Sequence, residues 1–145
     1  MIGSANSELI PCIFEGDNQP TKVTEFQSSR ISNIGTTDCN YFFTLPLPTN
    51  RGGLKLYIKG WLLPIKEAGI ANYITSIDIK GKIHSGETTL DNYTTNLTSA
   101  NDHTNPFTAV DCSSYDGIQA VLARVVASAN ALDIDNIYLD CYYDE

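Results

Sequence analysis

A strict alternation of apolar and polar side chains runs along residues 54–62. One side of this segment carries the apolar set, which is Leu54, Leu56, Ile58, Gly60 and Leu62. The other side carries two lysines and two aromatic residues, which are Lys55, Lys59, Tyr57 and Trp61. A period of two is that of a β-strand and excludes a helix, whose period is 3.6. The segment is therefore predicted to be a strand with one buried face.

The same alternation returns in residues 73–83 and in residues 134–143. Residues 118–128 contain several alanines, yet their valines favour a strand over a helix. The connection between 118–128 and 134–143 is too short for a parallel crossover, so these two strands are predicted to form an antiparallel hairpin. A turn at residues 130–133 would join them.

Weaker strand patterns and turn-forming residues fill the rest of the chain. Further strands are predicted at residues 8–14, 21–26 and 40–45, and a surface strand or long loop at 88–99. Short strands at such spacing predict an all-β fold, an antiparallel two-sheet β-sandwich of jelly-roll type. At 145 residues the chain fits one domain, residues 1–145. Residues 1–19 are the candidate for an extended N-terminal arm.

The charge and hydropathy of the chain limit its partners. Only 9 lysines and arginines stand against 17 acidic residues, for a net charge of -8, which argues against a nucleic-acid ligand. No apolar stretch reaches the roughly 18–20 residues that a membrane-spanning helix needs. The first residues have neither a basic segment nor an apolar one, so no secretory signal is expected.

Recognisable catalytic motifs are absent from the sequence. Its two histidines occur in no metal-binding spacing, and no serine lies in a GxSxG context. Carboxylates that could serve a hydrolase are abundant, but nothing selects a pair of them. The four cysteines have no CxxC spacing, and their apolar neighbours favour buried free thiols over disulfides. We therefore expect no catalytic residues and no enzymatic activity.

Two carboxylates near the C-terminus are the candidate metal ligands. Asp133 and Asp135 would lie on one side of an extended segment, joined by backbone carbonyls. Calcium prefers such a mixed set of oxygen ligands, although the loop lacks the spacing of an EF-hand. A solvated acidic turn is the alternative interpretation. No other cofactor is expected.

Four aromatic residues are the candidate contact residues. Tyr57 and Trp61 share one face of the first strand, and Tyr138 and Tyr142 share one face of the last. Such faces pack against a neighbouring subunit, because aromatic residues are enriched in protein interfaces. The alternative is a platform on which a sugar ring stacks.

Three segments, GLKLYIKGWLLP (53–64), ITSIDIKGKI (74–83) and LDIDNIYLDCYYDE (132–145), carry a resemblance to small jelly-roll structural proteins of phage and virus particles and their appendages. The resemblance implies a non-enzymatic structural protein of a virion or extracellular assembly. Its partners would be further copies of itself, as a homo-oligomer, and other particle proteins. A carbohydrate-binding β-sandwich module, with a glycan as ligand, is the alternative function, since a sandwich fold does not by itself define function.

Overall fold

The computed structural model describes residues 6–18, 24–27, 30–33, 38–126 and 132–145, with the backbone alone at 24–27 and 30–33. The strands of these residues are β1 (Glu8–Pro11), β2 (Ile13–Asp17), β3 (Thr24–Gln27), β4 (Arg30–Asn33), β5 (Cys39–Thr44), β6 (Asn50–Arg51), β7 (Leu54–Glu67), β8 (Asn72–Ile83), β9 (Gly86–Tyr93), β10 (Asp102–Asp111), β11 (Gly117–Val126), β12 (Leu132–Asp135) and β13 (Tyr138–Asp144).

The strands form two antiparallel sheets around one core of buried apolar side chains. The larger sheet has eight strands in the order β1-β13-β7-β12-β4-β3, with β6 and β10 also paired to β7. The smaller sheet has five strands in the order β2-β5-β11-β8-β9. This arrangement confirms the prediction of an all-β antiparallel two-sheet fold. The described residues include no helix, and hence none that could cross a membrane.

The N-terminal strands bind one to each sheet. β1 pairs with β13 at the edge of the larger sheet, and β2 pairs with β5 at the edge of the smaller one. Cys12, which lies between them, is only 1% exposed. Residues 8–17 thus belong to this chain's own sheets and do not form an arm. Residues 1–5 and 19 of the predicted arm lie outside the described residues. So do residues 21–23 of the predicted strand 21–26.

The predicted hairpin of residues 118–128 and 134–143 is wrong. β11 lies in the smaller sheet between β5 and β8, whereas β13 lies in the larger sheet between β1 and β7. The chain therefore passes from one sheet to the other after β11. Residues 130 and 131 of the predicted turn lie outside the described residues, and its residues 132 and 133 belong to strand β12. The prediction that residues 118–128 favour a strand is confirmed by β11 over residues 118–126, and residues 127 and 128 lie outside the described residues.

A bulge in the middle of β7 reverses the predicted faces of its second half. Leu139 of β13 is opposite Trp61, and Cys141 is opposite Ile58, so two residues of β7 face one residue of β13. The extra residue brings Trp61 to the same side as Ile58. Trp61 is therefore buried, 2% exposed, and the prediction that it shares the outer face with Tyr57 is wrong.

All four cysteines are buried free thiols, as their apolar neighbours predict. Burial raises the pKa of Cys12 and of Cys112 to about 12, and it raises the pKa of Cys141 as well. A thiol with such a pKa is protonated at neutral pH and is a poor nucleophile. These side chains act as small apolar residues of the core.

Gly81 of β8 packs against the ring of Tyr115, which lies in the connection between β10 and β11. A Cβ at this position would lie 2.5 Å from Cγ of Tyr115, at the base of its ring. The backbone of Tyr115 is held on both sides, since its carbonyl accepts from the Thr49 hydroxyl and its N–H donates to the Cys112 carbonyl. The ring therefore has little freedom to move away.

We expect Gly81→Ala to lower the free energy of unfolding by about 1–3 kcal/mol, the usual range for an overpacked core. The matched control is Gly117→Ala, on the neighbouring strand β11, where an added Cβ meets no atom within 4 Å. The control should change stability by less than about 0.5 kcal/mol. Urea unfolding of both variants measures the difference, and equal losses would show that the contact with Tyr115 is not the cause.

Candidate functional site

A stacked pair of tyrosines lies on the outer face of the larger sheet. Tyr57 of β7 and Tyr142 of β13 are directly opposite each other in the register of the two strands. Their ring centroids are 5.1 Å apart and the ring planes differ by 6°. Both side chains are half-buried, so part of each ring is open to solvent. The pair forms a small, rigid aromatic surface, because each ring limits the rotation of the other.

Charged side chains flank the tyrosine pair on both strands. Lys55 and Lys59 lie on either side of the pair along β7, and Asp140 and Asp144 do so along β13. Side chains two positions apart on a strand share a face. The lysines offer hydrogen-bond donors and the aspartates offer acceptors beside the same rings. We call this surface, made by Tyr57, Tyr142 and these four residues, the tyrosine face.

Asp111 of β10 adds an acceptor on the other side of Tyr57. Its carboxylate accepts a hydrogen bond of 2.9 Å from the backbone N–H of Ser113. The hydrogen bonds from Ser113, with a smaller effect of the Lys55 ammonium 3.9 Å away, lower the pKa of Asp111. This carboxylate is therefore ionised at neutral pH and fixed in position.

A groove of about 210 Å³ continues the tyrosine face along β7. Lys59 and Asp140 belong to both, and Leu9, Thr104 and Pro106 form further parts of its lining. The groove lies at the β7 bulge, where β10 also changes register, between Pro106 and Val110. The interrupted pairing opens the surface of the sheet at this point, and Gly60 lets β10 approach closely, its missing Cβ only 3.0 Å from the Asn105 carbonyl oxygen.

The structure separates the four predicted contact residues. Tyr57 and Tyr142 form the pair, and Tyr138 lies on the same strand face as Tyr142, about 13 Å away along β13. Trp61 lies in the core beneath the groove that it helps to line, with its ring edge-on to Tyr93 at 5.1 Å. Three of the four are thus on one outer face, and the tryptophan is not.

The two predicted calcium ligands are not gathered into a cluster with other ligands. Asp133 is 4% exposed, and Asp135 lies 3.6 Å from the Lys66 ammonium. Among the residues for which side chains are described, no group of three or more His, Cys, Asp or Glu is arranged to hold a metal ion. Calcium binding stays a prediction.

The outer face of the smaller sheet carries a separate charged cluster. The two carboxylate oxygens of Glu87 accept hydrogen bonds of 2.8 Å from Lys80 and from Lys82. These two hydrogen bonds lower the pKa of Glu87 to about 2. The two ammonium groups thus share one carboxylate, and these three charged groups are engaged with one another.

The sequence did not predict the groove, and it did not single out Asp140 as a residue of both the groove and the tyrosine face. A glycine inside an apolar strand marks a bulge, and Gly60 is such a signal in the sequence. The alternation also assigns Asp140 to the face of Tyr138 and Tyr142. What the sequence lacks is the register that sets Tyr142 opposite Tyr57.

Comparison with known proteins gives matches at the level of structure alone. No protein-family model and no curated protein matches the sequence. A family 16 carbohydrate-binding module aligns over 92% of this chain and 84% of its own, with 13% identity and a TM-score of 0.44. The family 11 module of the cellulosomal cellulase Lic26A-Cel5E of Clostridium thermocellum aligns over 94% and 95%, with 17% identity and a TM-score of 0.49. A family 11 module of the same organism, in complex with a β-1,3-1,4-mixed-linked tetrasaccharide, aligns over 90% and 95%, with 17% identity and a TM-score of 0.43.

These neighbours correct the sequence-based assignment. The resemblance to structural proteins of phage and virus particles is wrong, because the similar structures are carbohydrate-binding modules. The predicted role as a structural protein of a virion or extracellular assembly, with other particle proteins as partners, is wrong with it. The pattern of strands that carried the resemblance is common to sandwiches of many functions.

Proposed function

We propose that this chain is a non-enzymatic carbohydrate-binding module whose binding surface is the tyrosine face and its groove. The observation that carries the proposal is the stacked, half-buried pair of Tyr57 and Tyr142 on the outer face of the larger sheet. A sugar ring presents C–H groups on its faces and hydroxyl groups around its edge. The faces pack on aromatic rings, and the hydroxyls need donors and acceptors nearby.

The charges around the pair favour a neutral saccharide as the ligand. The face carries two ammonium groups, those of Lys55 and Lys59, and with Asp111 it has three carboxylates, the others being Asp140 and Asp144. This small negative excess disfavours an anionic chain and does not repel a neutral one, and each sugar hydroxyl can both donate and accept. The segment of β7 from Lys55 to Leu62 is about 23 Å long, which gives room for several sugar units along the face.

The carboxylates of the face support binding more than hydrolysis. A glycosidase needs one carboxyl group whose pKa is raised, so that it can protonate the leaving oxygen. Asp111 is hydrogen-bonded in its ionised form and its pKa is lowered, which suits an acceptor and not a general acid. The role proposed for these groups is to hold hydroxyls.

The test is a panel of neutral polysaccharides, measured by affinity electrophoresis and by the fluorescence of Trp61, the one tryptophan of the chain, which lines the groove. Tyr57→Ala should weaken binding about tenfold, which corresponds to about 1.4 kcal/mol. Tyr73→Ala, which removes a half-buried tyrosine from the smaller sheet, is the matched control and should bind as the wild type does.

Two results would contradict the proposal. One is a wild-type chain that binds none of the polysaccharides. The other is equal binding by the wild type and Tyr57→Ala, which would show that any glycan site lies away from the tyrosine face. A loss in Tyr73→Ala equal to that in Tyr57→Ala would likewise indicate a general effect of losing a tyrosine.

A further inference from the structure

A second cavity lies at the C-terminal end of β13, beside Tyr142 of the tyrosine pair. Tyr142 and Tyr143 are consecutive on the strand, so their side chains point to opposite faces. The cavity has a volume of about 190 Å³. We call it the end pocket. Its lining shares Tyr142 with the tyrosine face and consists of Asn6, Glu8, Ile10, Leu47, Arg51, Cys141, Tyr142 and Tyr143.

The cationic wall of the end pocket is held in place before any ligand binds. The guanidinium carbon of Arg51 lies 4.4 Å from the centre of the Tyr143 ring, a cation–π contact. The Tyr143 hydroxyl donates a hydrogen bond of 2.6 Å to the Pro48 carbonyl. Burial raises the pKa of Tyr143, which keeps this hydroxyl protonated and able to donate.

The loop that carries Arg51 is tied to the rest of the sandwich at two more points. The Thr49 hydroxyl donates to the Tyr115 carbonyl at 2.6 Å, and the Asn50 amide donates to the Ser113 carbonyl at 2.9 Å. A loop fixed in this way loses little conformational entropy on binding. The end pocket therefore has the preorganised walls of a binding site and not those of a mobile surface loop.

The chemistry of the lining selects the class of ligand. The planar guanidinium of Arg51 offers several N–H donors in a fork that two neighbouring oxygens can accept. Glu8 offers a carboxylate acceptor, and Asn6 offers both a donor and an acceptor. Ile10 and Leu47 add an apolar patch. Vicinal hydroxyls on a ring with an apolar face match all of these groups at once.

An anionic ligand matches the end pocket less well. A carboxylate or phosphate would bind Arg51 but would also face the Glu8 carboxylate. The net charge of -8 on the chain further opposes the approach of an anion. The volume is smaller than the roughly 300–1,000 Å³ of sites for drug-sized molecules, so it suits a single ring.

We propose that the end pocket is a second saccharide site, adjacent to the tyrosine face, that binds one neutral sugar ring; this inference rests on the proposed function. Two sites on one module would raise its avidity for a polysaccharide without any new contact, because the second binding event becomes intramolecular. The module would thus bind glycan at two neighbouring places along β13.

The experiment is a titration of the ¹⁵N-labelled chain, followed by amide chemical shifts, with the methyl glycosides of glucose, galactose, mannose and xylose and with methyl glucuronide as the anionic probe. At least one neutral glycoside should shift the amides of Glu8, Arg51 and Tyr143. Arg51→Met should weaken this response about tenfold or more, and Arg51→Lys should weaken it too, because an ammonium lacks the planar fork. Tyr73→Ala, on the smaller sheet, should leave it unchanged.

Three other outcomes of this titration would each contradict a different part of the proposal. Shifts confined to the tyrosine face would refute the end pocket and leave the proposed function standing. Tighter binding of methyl glucuronide than of the neutral glycosides would refute the neutral class. Absence of any shift, in a chain that also binds no polysaccharide of the panel, would refute the proposed function and this inference with it.

Discussion

Trp61→Ala is expected to lower the free energy of unfolding by about 3–5 kcal/mol, the usual cost of truncating a large buried aromatic residue. The Trp61 side chain is 2% exposed and packs edge-on against Tyr93 at 5.1 Å. Its removal would leave a cavity between the two sheets, in the part of the core closest to the groove. A surface tryptophan would lose little stability on the same substitution.

Trp61→Phe should cost clearly less than Trp61→Ala. Phenylalanine keeps an aromatic ring against Tyr93, and it removes the indole Nε1–H, which is buried without a hydrogen-bond partner among the described residues. A buried donor without a partner costs about 1–3 kcal/mol, so its loss offsets part of the lost volume. The order of stabilities is thus predicted as wild type, Trp61→Phe, Trp61→Ala.

Urea unfolding followed by circular dichroism measures this order, since both variants lack the tryptophan signal. Tyr57→Ala, on the outer face of the same strand, is the control for a half-exposed aromatic residue and should cost less than Trp61→Ala. Folded Trp61→Phe should still bind the polysaccharides that the wild type binds. A Trp61→Ala variant as stable as the wild type but unable to bind glycan would instead place Trp61 on the outer surface as a direct contact.

The misplacement of Trp61 shows what the alternating pattern of a strand can and cannot predict. The alternation predicts that residues 54–62 form a strand, and β7 does run through them. The phase of the alternation holds only while the pairing is regular. The bulge at Lys59 and Gly60 depends on the register of β10 and β13, which are distant in the sequence. One extra residue then turns every later side chain of β7 to the opposite face.

The wrong hairpin has a related physical cause. Consecutive strands usually lie next to each other, and a short connection strengthens this expectation. In a sandwich, however, a short connection can also take the chain across to the other sheet, as between β1 and β2 through Cys12. Both arrangements bury the same apolar face of each strand, so the periodicity of the sequence does not distinguish them.

The sequence predicts which residue types form the candidate site and which strand faces carry them. It does not predict that these residues come together. Alternation assigns Tyr138 and Tyr142 to one face of β13, and Tyr57 to the face of β7 away from its aliphatic residues. The stacking of Tyr57 on Tyr142 requires that β7 and β13 be neighbours in the correct register, which is a long-range property. The end pocket depends on long-range contacts as well, since Arg51 of β6 and Tyr143 of β13 meet within the larger sheet although they are far apart in the sequence.

Arg124 and Asn72 form a buried polar pair that the sequence did not indicate. Arg124 of β11 is 1% exposed and Asn72 of β8 is fully buried. The Nε–H of Arg124 donates a hydrogen bond of 2.9 Å to the Asn72 side-chain oxygen. Removing a partner of a buried charge is among the most costly substitutions in a protein core.

We expect Asn72→Leu to lower the free energy of unfolding by about 3–5 kcal/mol, because the guanidinium stays buried and loses this acceptor. Arg124→Met should cost less, about 1–3 kcal/mol, since it leaves a neutral amide short of one hydrogen bond. The double variant should cost clearly less than the sum of the two, because it removes the buried charge and its acceptor together.

A double-mutant cycle by urea unfolding tests this expectation, with an interaction energy of about 0.5–3 kcal/mol as the expected result for groups in direct contact. Strictly additive losses would show that the hydrogen bond between Arg124 and Asn72 contributes little and that other contacts of the guanidinium carry its burial. A pronounced coupling would identify the pair as a polar link between β8 and β11 inside the apolar core. Since β11 is central in the smaller sheet, such a link would fix the register of the strands on which that half of the sandwich is built.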